Sequence, residues 1–163
     1  MLKYCKTEFI KMPKSIFTSL LLLALSSAAL AECEKGSTVV FSCTTAKAKV
    51  IEVCDSGKTI DYSYGGKNSQ PEIVIRALRT QASTNQYSGI GRHMANSVAV
   101  PNGDTSYSVF SGIDKMFEGD KKEPKQEAGV SVTVRQKLVA RVMCDTKMPI
   151  TDNMEGIKLK SSD

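Results

Sequence analysis

The sequence has no tryptophan, a single histidine (His93) and no two cysteines at C-x-x-C spacing. Each absence removes a class of function. One histidine and no closely spaced thiols leave too few ligands for a zinc site, so no metal and no other cofactor is expected. G-x-S-x-G, H-E-x-x-H and a phosphate-cradling glycine loop are also missing, and with them the usual carriers of nucleophilic, metal-dependent and phosphoryl chemistry. Gly89-Ile90-Gly91-Arg92 is too short for a dinucleotide fingerprint and lacks the strand before it and the helix after it that such a fingerprint needs. The chain therefore reads as a binding protein and not an enzyme. A small secreted hydrolase is the disfavoured alternative.

Long apolar runs are scarce as well. The one such run, Ile16 to Leu30, carries no charge, follows Lys3, Lys6, Lys11 and Lys14, and ends in Ala29-Leu30-Ala31, the small-x-small pattern of a signal-peptidase site. Residues 1–31 are thus expected to be a cleaved leader, with translation starting at Met1 or Met12 and the mature chain beginning at Glu32. The run falls short of the roughly 20 residues that cross a bilayer, and Glu32 before Cys33 disfavours lipidation, so no membrane insertion is expected. Without the leader, the 22 Lys and Arg lose four and the 17 Asp and Glu lose one. A surplus of about two charges and sparse aromatics exclude a nucleic-acid partner.

What remains, residues 32–163, suits one domain, compatible with a monomer or a homodimer. Cys5 leaves with the leader; Cys33, Cys43, Cys54 and Cys144 stay, an even number in an exported chain, which predicts two disulfides. Short runs rich in Val, Ile, Tyr and Phe alternate with turn signals, so an all-β fold is expected, an antiparallel sandwich or barrel of about eight strands stapled by those disulfides. The runs are 38–44, 49–54, 58–64, 72–78, 97–100, 106–113, 129–134 and 137–144, with Glu52 at a polar-tolerant position and with 72–78 fitting strand and short helix alike poorly and read as strand in preference to helix. Pro101-Asn102-Gly103-Asp104-Thr105 supplies the Asn-Gly pair of a tight hairpin, and Arg135-Gln136 joins a second one. The Lys- and Glu-rich stretch 114–127 is expected as an exposed charged loop, and 146–163 as a flexible tail.

Pleating allows a choice among the three possible disulfide pairings, since neighbouring side chains point to opposite faces. Cys43 shares the inward face with Phe41. Leu138, Ala140, Val142 and Cys144 share one face of the last strand, and Cys54 sits one step off the Ile51 and Val53 face. Cys43 is thus expected to pair with Cys144 in the core, and Cys33 with Cys54 outside it.

One region is rich in hydroxyls: Asp104, Thr105, Ser106 and Tyr107 directly after the Asn-Gly turn, with Tyr87, Ser88, Arg92 and His93 on the preceding loop. Together with the leader, the motifs Phe41-Ser42-Cys43, Asp55-Ser56-Gly57 after a cysteine, Tyr62-Ser63-Tyr64-Gly65, Gly89-Ile90-Gly91-Arg92, Pro101 to Tyr107 and Ala128-Gly129-Val130 resemble the periplasmic inhibitors of invertebrate-type lysozyme, over roughly residues 38 to 144. The resemblance implies a periplasmic β-sandwich or barrel that protects peptidoglycan and evades host defence by placing a protruding loop in the cleft of a host lysozyme. It implies contacts from Tyr107 first and Ser106 second, then Asp104, Thr105, Ser88, Arg92 and His93. Related inhibitors carry a Ser-Gly-containing motif ending in Tyr; here the residues before Tyr107 are Asp104-Thr105-Ser106. Hydroxyls on a rigid hairpin can bond the two carboxyl groups of such a cleft. Inhibition of another lysozyme class, or a non-inhibitory envelope domain that binds glycan or protein, are the alternatives.

Overall fold

The computed structural model describes residues 33–87, 93–114 and 124–162. The leader expected over 1–31 lies outside them. Eight strands of six residues or more form over or around the expected runs: β1 (Thr38–Thr44), β2 (Lys49–Asp55), β3 (Thr59–Gly66), β4 (Ile73–Leu78), β6 (His93–Asn102), β7 (Thr105–Asp114), β8 (Lys125–Val134) and β9 (Lys137–Met143). Three shorter ones, β5 (Ser83–Asn85), β10 (Thr151–Asp152) and β11 (Lys160–Ser161), join them.

They make two sheets, of order β10-β1-β2-β3-β4 and β11-β5-β6-β7-β8-β9, all antiparallel except β11 against β5. The sheets do not close into a barrel. Phe41, Ile51, Val53, Ile60 and Tyr62 from the first meet Val98, Val100, Val109 and Val130 from the second, all essentially inaccessible. This is the layered arrangement expected when each sheet has one apolar face to bury.

Both disulfides pair as parity predicts, Cys33 with Cys54 and Cys43 with Cys144. Such bonds belong to an oxidising, extracytoplasmic compartment. Two details of the parity reading are corrected. A register shift between Val132 and Thr133 leaves Val139 without a partner and sets Leu138 opposite Thr133. Leu138 therefore turns out to solvent (59% exposed), while Ala140 and Val142 stay opposite Val132 and Val130. Glu52 is buried (6% exposed), because Cys33 is tied down over the outer face of its sheet.

The segment expected to be a flexible tail is instead docked along an edge of each sheet. β10 pairs with β1 and β11 with β5. Between them Met154 is fully buried, with Ile150, Ile157 and Leu159 packed around the core. Asn153 N and Nδ2 donate to Val40 O and Val39 O at 2.9 Å. Gln86 Nε2 donates to Met154 O at 2.9 Å, and Gly156 N to Gln86 Oε1 at 3.1 Å. The polar composition of 146–163 hides this, since its few apolar residues are spaced to fill gaps and follow no strand or helix period. The ends of the expected charged loop are also strand, with Asp114 closing β7 and Lys125 to Glu127 opening β8; residues 115–123 lie outside the described ones.

Candidate functional site

The β6–β7 hairpin is a ten-rung ladder from His93↔Asp114 to Asn102↔Thr105, closed by Gly103 and Asp104 alone. Gly103 holds φ +59°, which a glycine adopts at no steric cost, and it occupies the first loop position. The turn is thus one residue later than an Asn-Gly loop. Asn102, Gly103 and Asp104 are exposed at the tip, and Thr105, Ser106 and Tyr107 are half-buried behind it.

Because β8 runs back along β7 with Thr105 opposite Val134, the β8–β9 turn comes to the same end of the sheet. Arg135 N donates to Asp104 O at 2.8 Å, and Arg135 Nε to Asp104 Oδ2 at 2.9 Å. The two tips are therefore pinned together by one backbone and one side-chain bond. Arg135 and Gln136 both have positive φ, 48° and 66°, as a two-residue type I′ turn demands, and neither is a residue that favours it. Replacing Gln136 by Gly is expected to stabilise the domain by about 1 kcal/mol, since left-handed backbone costs a residue with a Cβ roughly that much. A thermal melt measures it, and an unchanged or lower melting temperature contradicts the strain.

Tyr107 faces inward with Val109. Its ring lies 4.9 Å from that of Tyr62, tilted by 31°, in the range of favourable aromatic pairs. Burial, with Tyr107 and Tyr64 nearby, pushes the Tyr62 hydroxyl well above the usual tyrosine range, so the Tyr62 ring is neutral at ordinary pH. Ser106 lies on the opposite face, level with Pro101 and Thr133. Exposed Leu138 and Val139 lie just beyond them.

The structure thus brings Asp104, Thr105, Ser106 and Tyr107 together. It separates His93 from them: nine residues along an extended strand put the start of β6 about 30 Å from its tip. The expected approach of the His93 loop to the tip is corrected by strand length, since pairing extends over the whole of 93–102. Ser88 and Arg92 lie outside the described residues. Tyr87 stands at that far end, its N–H bonded to Asn96 Oδ1 at 3.0 Å.

Arg135 and Gln136 escaped the sequence reading as site residues. The signal was present in the second hairpin, because in an antiparallel meander alternate turns share one end of the sheet. Among the described residues, one cluster of metal-ligand type occurs, Cys33, Glu52 and Cys54, with ligand atoms within 4.8 Å of one another. Both sulfurs are committed to a disulfide, which leaves no thiolate to bind an ion.

The chain matches no family model, no curated protein and no solved structure.

Proposed function

We propose that the protein is a periplasmic inhibitor of lysozyme, of the invertebrate type in first place, that acts by placing the paired hairpin tips in the enzyme's cleft. The observation that supports this reading is the pinning of Arg135 to Asp104, which makes two turns into one stiff protrusion. A preorganised protrusion loses little conformational freedom on binding. Ser106 and Thr105 offer hydroxyls to the carboxyl groups that a glycosidase cleft must contain. The exposed Leu138 and Val139 beside the tip supply apolar contact at the rim. Tyr107 plays a supporting part, holding the hairpin against Tyr62.

Titrating the mature protein into invertebrate-, chicken- and goose-type lysozymes tests the reading, with inhibition of the first expected. Ser106→Arg, which crowds the outer side of the tip, is expected to weaken inhibition about tenfold or more, or at least roughly 1.4 kcal/mol, at an unchanged melting temperature. Tyr107→Phe keeps the ring packing and is expected to lose less. Full inhibition by a folded Ser106→Arg variant, or no inhibition of any lysozyme by the unaltered protein, contradicts the proposal.

A further inference from the structure

Charge is interspersed along the chain, but the fold gathers it. Three segments distant in sequence meet just past the end of β4: the β2–β3 turn, the turn at Arg79 and Thr80, and the run 158–160 that leads into β11. Between them lies an open recess of about 550 Å³. One side chain ties the three together. Arg79 Nε donates to both carboxylate oxygens of Asp55, at 3.3 and 3.1 Å, and a terminal nitrogen donates to Lys158 O at 2.9 Å. Its backbone N–H bonds Lys58 O at 2.9 Å, and Asp55 accepts from Gly57 N at 2.8 Å. The recess thus has a built frame.

Three further cations line it, Lys58, Lys158 and Lys160, all exposed. Alternation accounts for two of them: Ile157 and Leu159 pack against the core, so Lys158 and Lys160 take the outward positions between and beyond them. Among the described residues none of the three lysines has an ion pair or a side-chain hydrogen bond, and the one carboxylate of the frame, Asp55, is engaged by Arg79. Four positive charges against one negative leave about three, in a mature chain whose whole surplus is about two. Like charges held together repel, and an anion between them relieves that repulsion.

We infer that this recess binds a phosphomonoester, its phosphate held by the ammonium groups of Lys58, Lys158 and Lys160 and by the Thr80 hydroxyl. The engagement of Arg79 selects that class. A carboxylate is gripped best by a free guanidinium fork, and here Nε and one terminal nitrogen are already bonded. What is left is three point charges on flexible stems, each with three donors, which match a compact group with three acceptor oxygens and a charge of about −1.5 to −2 at pH 7. Half-buried Leu159 gives the carrier of the phosphate an apolar contact. A nucleic-acid strand is disfavoured, because no aromatic ring lines the recess to stack a base. The inference does not depend on lysozyme inhibition, since neither hairpin tip contributes a residue to the recess and the test uses no lysozyme.

The test is a titration with glucose 6-phosphate, followed by amide NMR shifts, beside glucose and glucose 6-sulfate. The phosphate ester is expected to shift residues around Lys58, Thr80 and Lys158 with a Kd of about 1 mM or tighter, the singly charged sulfate ester to bind at least about fivefold more weakly, and glucose to shift nothing. Lys58→Gln, Lys158→Gln and Lys160→Gln are each expected to weaken binding about fivefold or more at an unchanged melting temperature, and Lys47→Gln, in the β1–β2 turn, to leave it unaltered. Equal binding of the two esters, an equal loss in Lys47→Gln, or the absence of shifts up to about 10 mM ester overturns the assignment. Sedimentation with phosphatidylcholine vesicles, with and without phosphatidic acid, separates the sources of the phosphate. Binding to the phosphatidic acid vesicles that Lys158→Gln abolishes assigns a lipid headgroup; none, beside binding of the sugar ester, assigns a soluble one, and either sustains the site.

Discussion

Replacing Cys43 and Cys144 together by Ala is expected to cost about 4 to 5 kcal/mol, and the same change at Cys33 and Cys54 about 3 kcal/mol. The first bridge closes a loop of 101 residues and the second one of 21, and in the chain-entropy account a longer loop confines the unfolded chain more, by about 1.4 kcal/mol here. Packing adds to the contrast. Cys43 belongs to the core beside Phe41 and Ile51, whereas Cys33 is half-buried outside it. Cys144 also marks where the two sheets touch: Thr45 bridges to it, and Asp145 N donates to Thr44 O at 2.8 Å. Denaturant melts of the two double variants measure the order. A Cys33/Cys54 variant less stable than the Cys43/Cys144 variant contradicts it.

Met154→Ala is expected to destabilise the domain by about 3 kcal/mol, within the usual range for a large apolar side chain removed from a tight core. Met154 is inaccessible, yet it stands in a stretch where most other side chains are exposed. If residues 146–162 were a loose appendage, the change would cost less than about 0.5 kcal/mol, as surface substitutions do. The informative measurement pairs a denaturant melt with limited proteolysis. The expected result is a single, cooperative loss of stability, with cleavage between Met148 and Leu159 rising in step with global unfolding. Early cleavage at unchanged global stability would show that the segment detaches by itself.

The parts of the fold that could be read from the residues are those where alternation is long and uninterrupted. Ile60, Tyr62 and Tyr64 against Asp61 and Ser63 announce β3, and both disulfides follow from parity because the bulge in β1 and the one in β9 happen to leave Cys43 and Cys144 on compatible faces. Leu138 shows the limit, since a single unpartnered residue turned it outward. The three shortest strands were illegible for a different reason. Ser83 to Asn85, Thr151 to Asp152 and Lys160 to Ser161 are polar segments held by backbone bonds to a neighbour already in place, and no side-chain pattern records that. At the candidate site, the turn could be read from Gly103, and the partnership of Arg135 with Asp104 could be read only from the meander as a whole.

The docking of residues 150 to 161 onto an edge of each sheet also bears on when the molecule can fold. Cys33 and Cys54 are near in sequence and can meet early, as can the hairpin of β6 and β7. The core itself stays open until Met154 arrives and Asn153 bonds to Val39 and Val40, partners 114 and 113 positions earlier. Such distant closure is slow. A chain of this kind can close its local hairpins and the Cys33–Cys54 bridge first, and it locks only when the late segment and the pairing of Cys144 with Cys43 arrive together.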